Sequence, residues 1–270
     1  MEKSIQYKPK KLCSLIEIDK LLKLKEDILE GFIKNIEDDI SIITIIGSDK
    51  AETNNFFNEI IIYNYKKENE ICNIDKNEYI STDSIQVYTH TFNSFLKKSK
   101  SKTMFFLVNC VDKKIFSSRL YFMLHTMSSI VIYNTVNTNL SEIEYISELK
   151  KYFSNYGTFD ELIKSLSPKF IFVYYDHEKE DKIDKDKLKN ILEKEDIISS
   201  SFVKSYFDKS YLCYSSLSNK FLDNLDEIIT KSQLTKSFRG KRIEGLTLKH
   251  LIIELVNCIN QNISFNISKM

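Results

Sequence analysis

IITIIGSDKAETNNFFNEI, from Ile42 to Ile60, decides the reading of this chain. It continues a β-branched, almost wholly apolar run from Ile40 to Ile46, the pattern of a strand covered on both faces. Gly47 and a short turn follow, and the spacing then predicts a helix over Asn54–Tyr63. Strand, glycine, turn and helix are the layout of a phosphate-binding loop, here spanning 42–54. A working loop reads G-x-x-x-x-G-K-[ST]: its second glycine lets backbone amides close on the phosphates, its lysine neutralises them and its hydroxyl ligates Mg²⁺. Gly47 opens the pattern and Ser48, Asp49, Lys50 and Ala51 fill its variable positions. Glu52, Thr53 and Asn54 then stand where glycine, lysine and hydroxyl belong. The layout of a nucleotide-hydrolase scaffold is present without its chemistry.

Around this unit, strands alternate with helices. Residues 13–36 follow a short strand-like LIEI with apolar and charged residues at helical spacing. Asn64–Ser81 is polar and irregular, an expected exposed loop, and Ser84–Phe95 alternates as a strand does. KKSKSK reads as a solvated hairpin tip before a second buried strand at Thr103–Asn109. Further strands are predicted at Ser129–Tyr133, Lys169–Tyr174 and Tyr211–Tyr214. Helices are predicted at Leu120–Met127, from the capping box Ser141-Glu142-Ile143-Glu144 to Phe153, at Lys185–Ile198, and at the close of the chain over 246–260. Such alternation implies a three-layer α/β fold, a mostly parallel central sheet with helices on both faces. With no internal repeat and no linker, residues 1–270 are expected to form one domain.

Composition narrows the function classes. Charged residues make up 29% of the chain and nearly balance at +1, so nucleic acid is not indicated as a partner. No run approaches the ~18 apolar residues of a membrane span. No apolar segment follows the basic N-terminus to make a signal peptide. The five cysteines are odd in number and scattered, without a C-x-x-C pair, which fits a reducing, cytoplasmic setting and speaks against a zinc site. His90, His125, His177 and His250 are isolated in sequence and form no metal-ligand or catalytic spacing. Asp49, Glu52 and Asp112 are the acidic residues that could converge on a divalent ion without nucleotide.

From about Leu12 to Phe265 the chain resembles the large G domain of guanylate-binding proteins and atlastins. TIIGSDKAETNNFFNEI aligns without gaps on that family's phosphate loop and helix. Thr82 with Ile85 sits at the first switch, and FFLVNCVD at the second. SSIVIYNTVNTNLSEIEYISELKKYF is the most specific stretch, matching a serine pair, a strand ending in Tyr-Asn and a following helix. FIFVYYDH falls on the guanine-reading motif T-L-R-D, VKSYFDKS resembles the family's arginine and double-aromatic segment, and RIEGLTLKHLIIELVNCIN resembles its closing helix.

The resemblance implies a Ras-like large G domain and locates its functional positions. Lys50 falls where the family carries an internal arginine finger; it keeps the charge but not the planar fork. Asn109 replaces the aspartate that orients Mg²⁺, and Asp112 replaces a glycine that reads the γ-phosphate. Relative to the family, Glu52, Thr53 and Asp112 each make the site one unit more negative and Asn109 one unit less, a net change of two units. Like charges ~4 Å apart repel by about 4 kcal/mol at an intermediate dielectric, against about 8 kcal/mol for a whole micromolar affinity. Asp176 alone matches a recognition residue, the aspartate that reads guanine; its other reading is a strand-end aspartate in the charged run DHEKEDKIDKDK.

These residues imply a pseudo-GTPase that binds no cofactor, has no catalytic or metal residues, is monomeric in isolation and serves as a module for an unidentified protein partner. The alternative is a residual guanine-nucleotide binder or slow GTPase, holding GTP or GDP with Mg²⁺ through 47–54, Thr82 and Asp176. Reversing Glu52, Thr53 and Asn54 together to Gly, Lys and Ser is expected to recover some nucleotide binding.

Overall fold

A computed structural model describes residues 11–47, 49–70, 72, 83–93, 101–109, 117–135, 167–175, 209–232, 237–238 and 241–261. Its spine is strand β3 (Asp39–Gly47), where every residue from Ile40 to Ile46 is buried, as the β-branched run requires. To its N-terminal side in sequence lie β1 (Leu12–Ile18), β2 (Leu22–Leu24), helix α1 (Glu26–Gly31) and a 3₁₀ turn (Ile33–Asn35). Helix α2 (Lys50–Lys67) follows β3 and leads to β4 (Ser84–Tyr88), the two-residue β5 (Phe92–Asn93) and β6 (Ser101–Asn109). Then come α3 (Ser117–Met127), β7 (Ile130–Thr135), β8 (Lys169–Tyr175), β9 (Lys209–Tyr214) and α4 (Asn219–Ser232). A small ribbon, β10 (Ser237–Phe238) with β11 (Lys241–Arg242), precedes the closing helix α5 (Gly245–Asn260).

Among the described residues, nine strands form one sheet in the order β2-β1-β4-β6-β3-β7-β8-β9, with β5 pairing β6. The run from β6 through β3, β7 and β8 to β9 is parallel throughout. On the other side, β4 is antiparallel to β6, and the β1–β2 hairpin continues the sheet antiparallel to β4. The segment β4-β6-β3-β7-β8-β9 has the strand order of a Ras-like G domain. Alternate residues of β3 face opposite ways. Ile42 and Ile46 pack into the layer of α1, α3 and α5, while Ile43 and Ile45 pack against α2 and α4. The three layers expected from the sequence are therefore present.

Several local expectations differ from what is observed. Residues 13–36 are not mainly helical: they form the β1–β2 hairpin, then only α1 and the 3₁₀ turn. The edge of β4 decides this, because its backbone groups pair with β1 over Leu12–Glu17, a non-local interaction that overrides helical spacing. Asn64–Lys67 are not loop but the last turn of α2, with Asn64 and Tyr65 buried. Helix α4 was not anticipated, although Phe221, Leu222, Leu225 and Ile229 make an apolar stripe and the Ser218 hydroxyl accepts the Phe221 amide at its start. The predicted helices 141–153 and 185–198, and residues 97–100 of the basic hairpin, lie outside the described residues.

Among the described residues no helix is long and apolar enough to cross a membrane.

Candidate functional site

In parallel α/β sheets ligands sit beyond the carboxyl ends of the strands, where connections leave to opposite faces. Here that place is the end of β3, flanked by β6 and β7, with α2 on one face of the sheet and α3 on the other. Gly47, the last residue of β3, pairs in register with Asn134 of β7. Tyr175 and Tyr214 end β8 and β9 and pair with each other in register.

The phosphate loop itself is not formed. Helix α2 begins at Lys50, so Lys50, Ala51 and Glu52 are already its first turn. In a phosphate-binding loop those residues would wrap an anion ahead of the helix. Asp49 instead caps the helix: its side chain accepts the Glu52 amide at 2.8 Å, and its carbonyl accepts the Thr53 amide at 2.9 Å. The Thr53 hydroxyl also donates to the Asp49 carbonyl. A carboxylate at a helix N-terminus satisfies orphan amides and complements the helix dipole. The chain's own anion therefore takes an amide that a phosphate would need.

Thr53 fills the next space. It is 1% exposed and lies over Gly47, where an added Cβ would meet Thr53 Oγ1 at 1.7 Å and the Asn134 carbonyl oxygen at 2.8 Å. Gly47 is thus explained by close packing of helix on strand. Asn54 is buried as well, and its Oδ1 has no hydrogen-bond partner among the described residues.

Above this turn stands Tyr214, 5% exposed. Its hydroxyl lies 3.2 Å from Glu52 Oε1 and 3.1 Å from Asn134 Oδ1. Burial raises its pKa well above the ordinary phenol value, and the Glu52 carboxylate adds to the effect. The hydroxyl accordingly stays protonated and donating. Asn134 Nδ2 is buried without a hydrogen-bond partner among the described residues. A half-turn of that amide would let Nδ2 donate to the Tyr214 oxygen while the hydroxyl donates to Glu52. The Tyr214 ring stacks on Tyr175 at 4.9 Å and meets Phe221 at 4.8 Å and Phe56 at 5.7 Å. Helix α2, strand β9 and helix α4 are joined there by aromatic packing.

The structure thus brings together Gly47, Asp49, Glu52 and Thr53 of the residues singled out in the sequence and adds Asn134, Tyr175 and Tyr214. Those three were missed as site residues. The available signal was the pair of tyrosines closing two adjacent buried strands at the ligand-binding end of the sheet. Lys50 and Ala51 lie in the first turn of α2, with Ala51 exposed. Asn109 ends β6, in register with Ser84 of β4. Ser48, Thr82, Asp112 and Asp176 lie outside the described residues.

The Glu52 amide is taken by Asp49, the lysine position is a buried threonine packed on the strand, and the metal-ligand position is a buried asparagine. Among the described residues the arrangement joins strand ends to helix starts.

No protein-family profile matches the chain, and no curated protein matches it. Among solved structures, it is similar to the crystal structure of bacterial selenocysteine-specific elongation factor EF-Sec at 14% identity and a TM-score of 0.37. That likeness covers 71% of this chain and 28% of the elongation factor, and at such a score it carries no inference about the site.

Proposed function

We propose that this chain is a pseudo-GTPase of the guanylate-binding-protein type: a G-domain scaffold that works by holding another protein and neither binds nor hydrolyses GTP. The observation that carries the reading is the self-capped start of α2, where Asp49 occupies the Glu52 amide. Glu52, tied to Tyr214, adds a second carboxylate at the same helix end. A triphosphate would have to displace Asp49 and approach both negative charges, at about 4 kcal/mol per close like-charge pair. Support for the family comes from the ordered sequence pieces between Leu12 and Phe265, together with the Ras-like strand order.

The test is calorimetry of the purified chain with GTP, GDP and GMP in Mg²⁺. No heat of binding is expected up to about 100 μM ligand, and a dissociation constant below about 10 μM for any of them overturns the proposal. Nucleotide carried through purification and lost on Asp176→Ala would establish the residual-binder reading instead. The chain alone is proposed to be monomeric and cytoplasmic, and light scattering that shows a dimer at micromolar concentration would refute the first of these.

A further inference from the structure

Away from the strand ends, Glu68, Glu70 and His90 bring one ligand atom each to within 4.8 Å of one another. Glu68 follows the last residue of α2, and Asn69, with φ of 56°, turns the chain so that the Glu70 amide bonds back to the Tyr65 carbonyl. His90 comes from just after β4, two residues beyond Tyr88. The side chains of Glu68 and His90 are only 11% and 19% exposed, and His90 Nε2 is closed to solvent.

Both groups are held from behind. Glu68 Oε1 accepts the Asn93 amide at 2.6 Å, which leaves Oε2 directed at His90 Nε2, 3.9 Å away. That separation is too long for a hydrogen bond. Two atoms sharing one cation in a tetrahedral site at bond lengths of about 2.0–2.2 Å stand about 3.3–3.6 Å apart, so a shift of a few tenths of an ångström would close this pair on a metal. The His90 ring is stacked on Tyr65 at 5.3 Å and 9°, and meets the edge of Phe92 at 4.7 Å. A carboxylate oriented by a backbone amide and an imidazole clamped between rings are supported ligands, as metal sites require. The plainest competing account is an ion pair between Glu68 and protonated His90. That account predicts no stoichiometric uptake of a divalent cation, which a titration reads directly.

We propose that Glu68, Glu70 and His90 form a binding site for a divalent transition-metal cation, which ties the end of α2 to the turn between β4 and β5. One imidazole nitrogen and two carboxylate oxygens suit Zn²⁺ or Mn²⁺, with water completing the coordination. The site is independent of the nucleotide question. Sequence spacing concealed it because His90 stands twenty residues beyond Glu70 and repeats no metal motif.

The test titrates the full chain with Zn²⁺ in calorimetry, beside Glu70→Gln and His90→Asn. One Zn²⁺ per chain is expected, weakened about tenfold by Glu70→Gln and up to about a hundredfold by His90→Asn. Glu70 is exposed, so its variant keeps the test valid even if His90→Asn folds poorly. Absence of stoichiometric binding in the parent chain overturns the proposal. So does binding that Glu70→Gln leaves unchanged, which places the ion elsewhere, or a Co²⁺ complex with thiolate-to-metal absorption, which places it on the cysteines.

Discussion

Gly47 and Thr53 are fitted to each other: a Cβ at Gly47 would stand 1.7 Å from Thr53 Oγ1. Thr53 is buried and β-branched, so it has little freedom to move aside. Gly47→Ala is therefore expected to cost about 3 kcal/mol, at the upper end for overpacking, in urea denaturation followed by circular dichroism. Adding Thr53→Ala should recover only part of the loss, because the contact with the Asn134 carbonyl oxygen at 2.8 Å remains. Additive effects of the two changes would show that the contact is not shared.

Asp49→Ala removes the cap of α2 and should destabilise the chain by about 1 kcal/mol, while Asp49→Asn should lose little. The same denaturation experiment reads both. An equal loss in the two variants would mean that charge near the helix end matters more than the hydrogen bond to the Glu52 amide.

Reversing the three motif positions, Glu52→Gly with Thr53→Lys and Asn54→Ser, is no longer expected to suffice for nucleotide binding. The turn would still be wound into α2 and capped by Asp49. Binding of GDP with Mg²⁺, read by fluorescence of a labelled nucleotide, is expected only when Asp49→Gly is added. Binding by the triple variant alone would show that the cap yields easily.

Alkaline pH should unfold the chain through its tyrosines. Burial pushes Tyr88 up to about 12 from the ordinary 10.0. Tyr65 and Tyr214 are raised, chiefly by burial, and Tyr63 by partial burial and its hydrogen bond to Asp223. Each raised value means that the folded chain binds the proton more tightly than the unfolded chain. The stabilisation is complete below the unfolded value near 10 and is lost as pH rises through the folded one. Between pH ~10 and ~12 each of Tyr65, Tyr88 and Tyr214 should remove up to about 1.4 kcal/mol per pH unit, and the more exposed Tyr63 less. Tyrosinate absorbance should then rise together with the loss of circular dichroism. Smooth titration of all tyrosines before unfolding would contradict it.

The parallel core was legible because β3, β6, β7 and β8 are apolar runs that no solvent-facing element would carry. The degenerate motif was equally legible, since Glu52, Thr53 and Asn54 can be compared with a fixed chemical requirement. What replaced the phosphate was not, because capping by Asp49 depends on where α2 starts, and several helical starts fit the same residues. The Tyr214 contact with Glu52 joins residues 162 apart in sequence, and only the sheet register brings them together. The β1–β2 hairpin was misread for a related reason: its pairing partner, β4, lies more than sixty residues away.

That hairpin has a further tie. The Leu22 amide donates to Asn260 Oδ1 at 2.8 Å, and Asn260 Nδ2 donates to the Leu22 carbonyl at 2.9 Å. A side chain at the end of α5 thus imitates the neighbouring strand that edge strand β2 lacks. Helix α5 also starts in contact with early chain, where a Cβ on Gly245 would meet the Ile33 carbonyl oxygen at 1.9 Å. During synthesis, the part of the sheet face that α5 covers beside α1 and α3, and the open border at β2, stay uncovered until the ribosome has delivered Gly245–Asn260. Until then the β1–β2 hairpin lacks this tie, and its border is open to chaperones and to unwanted strand pairing.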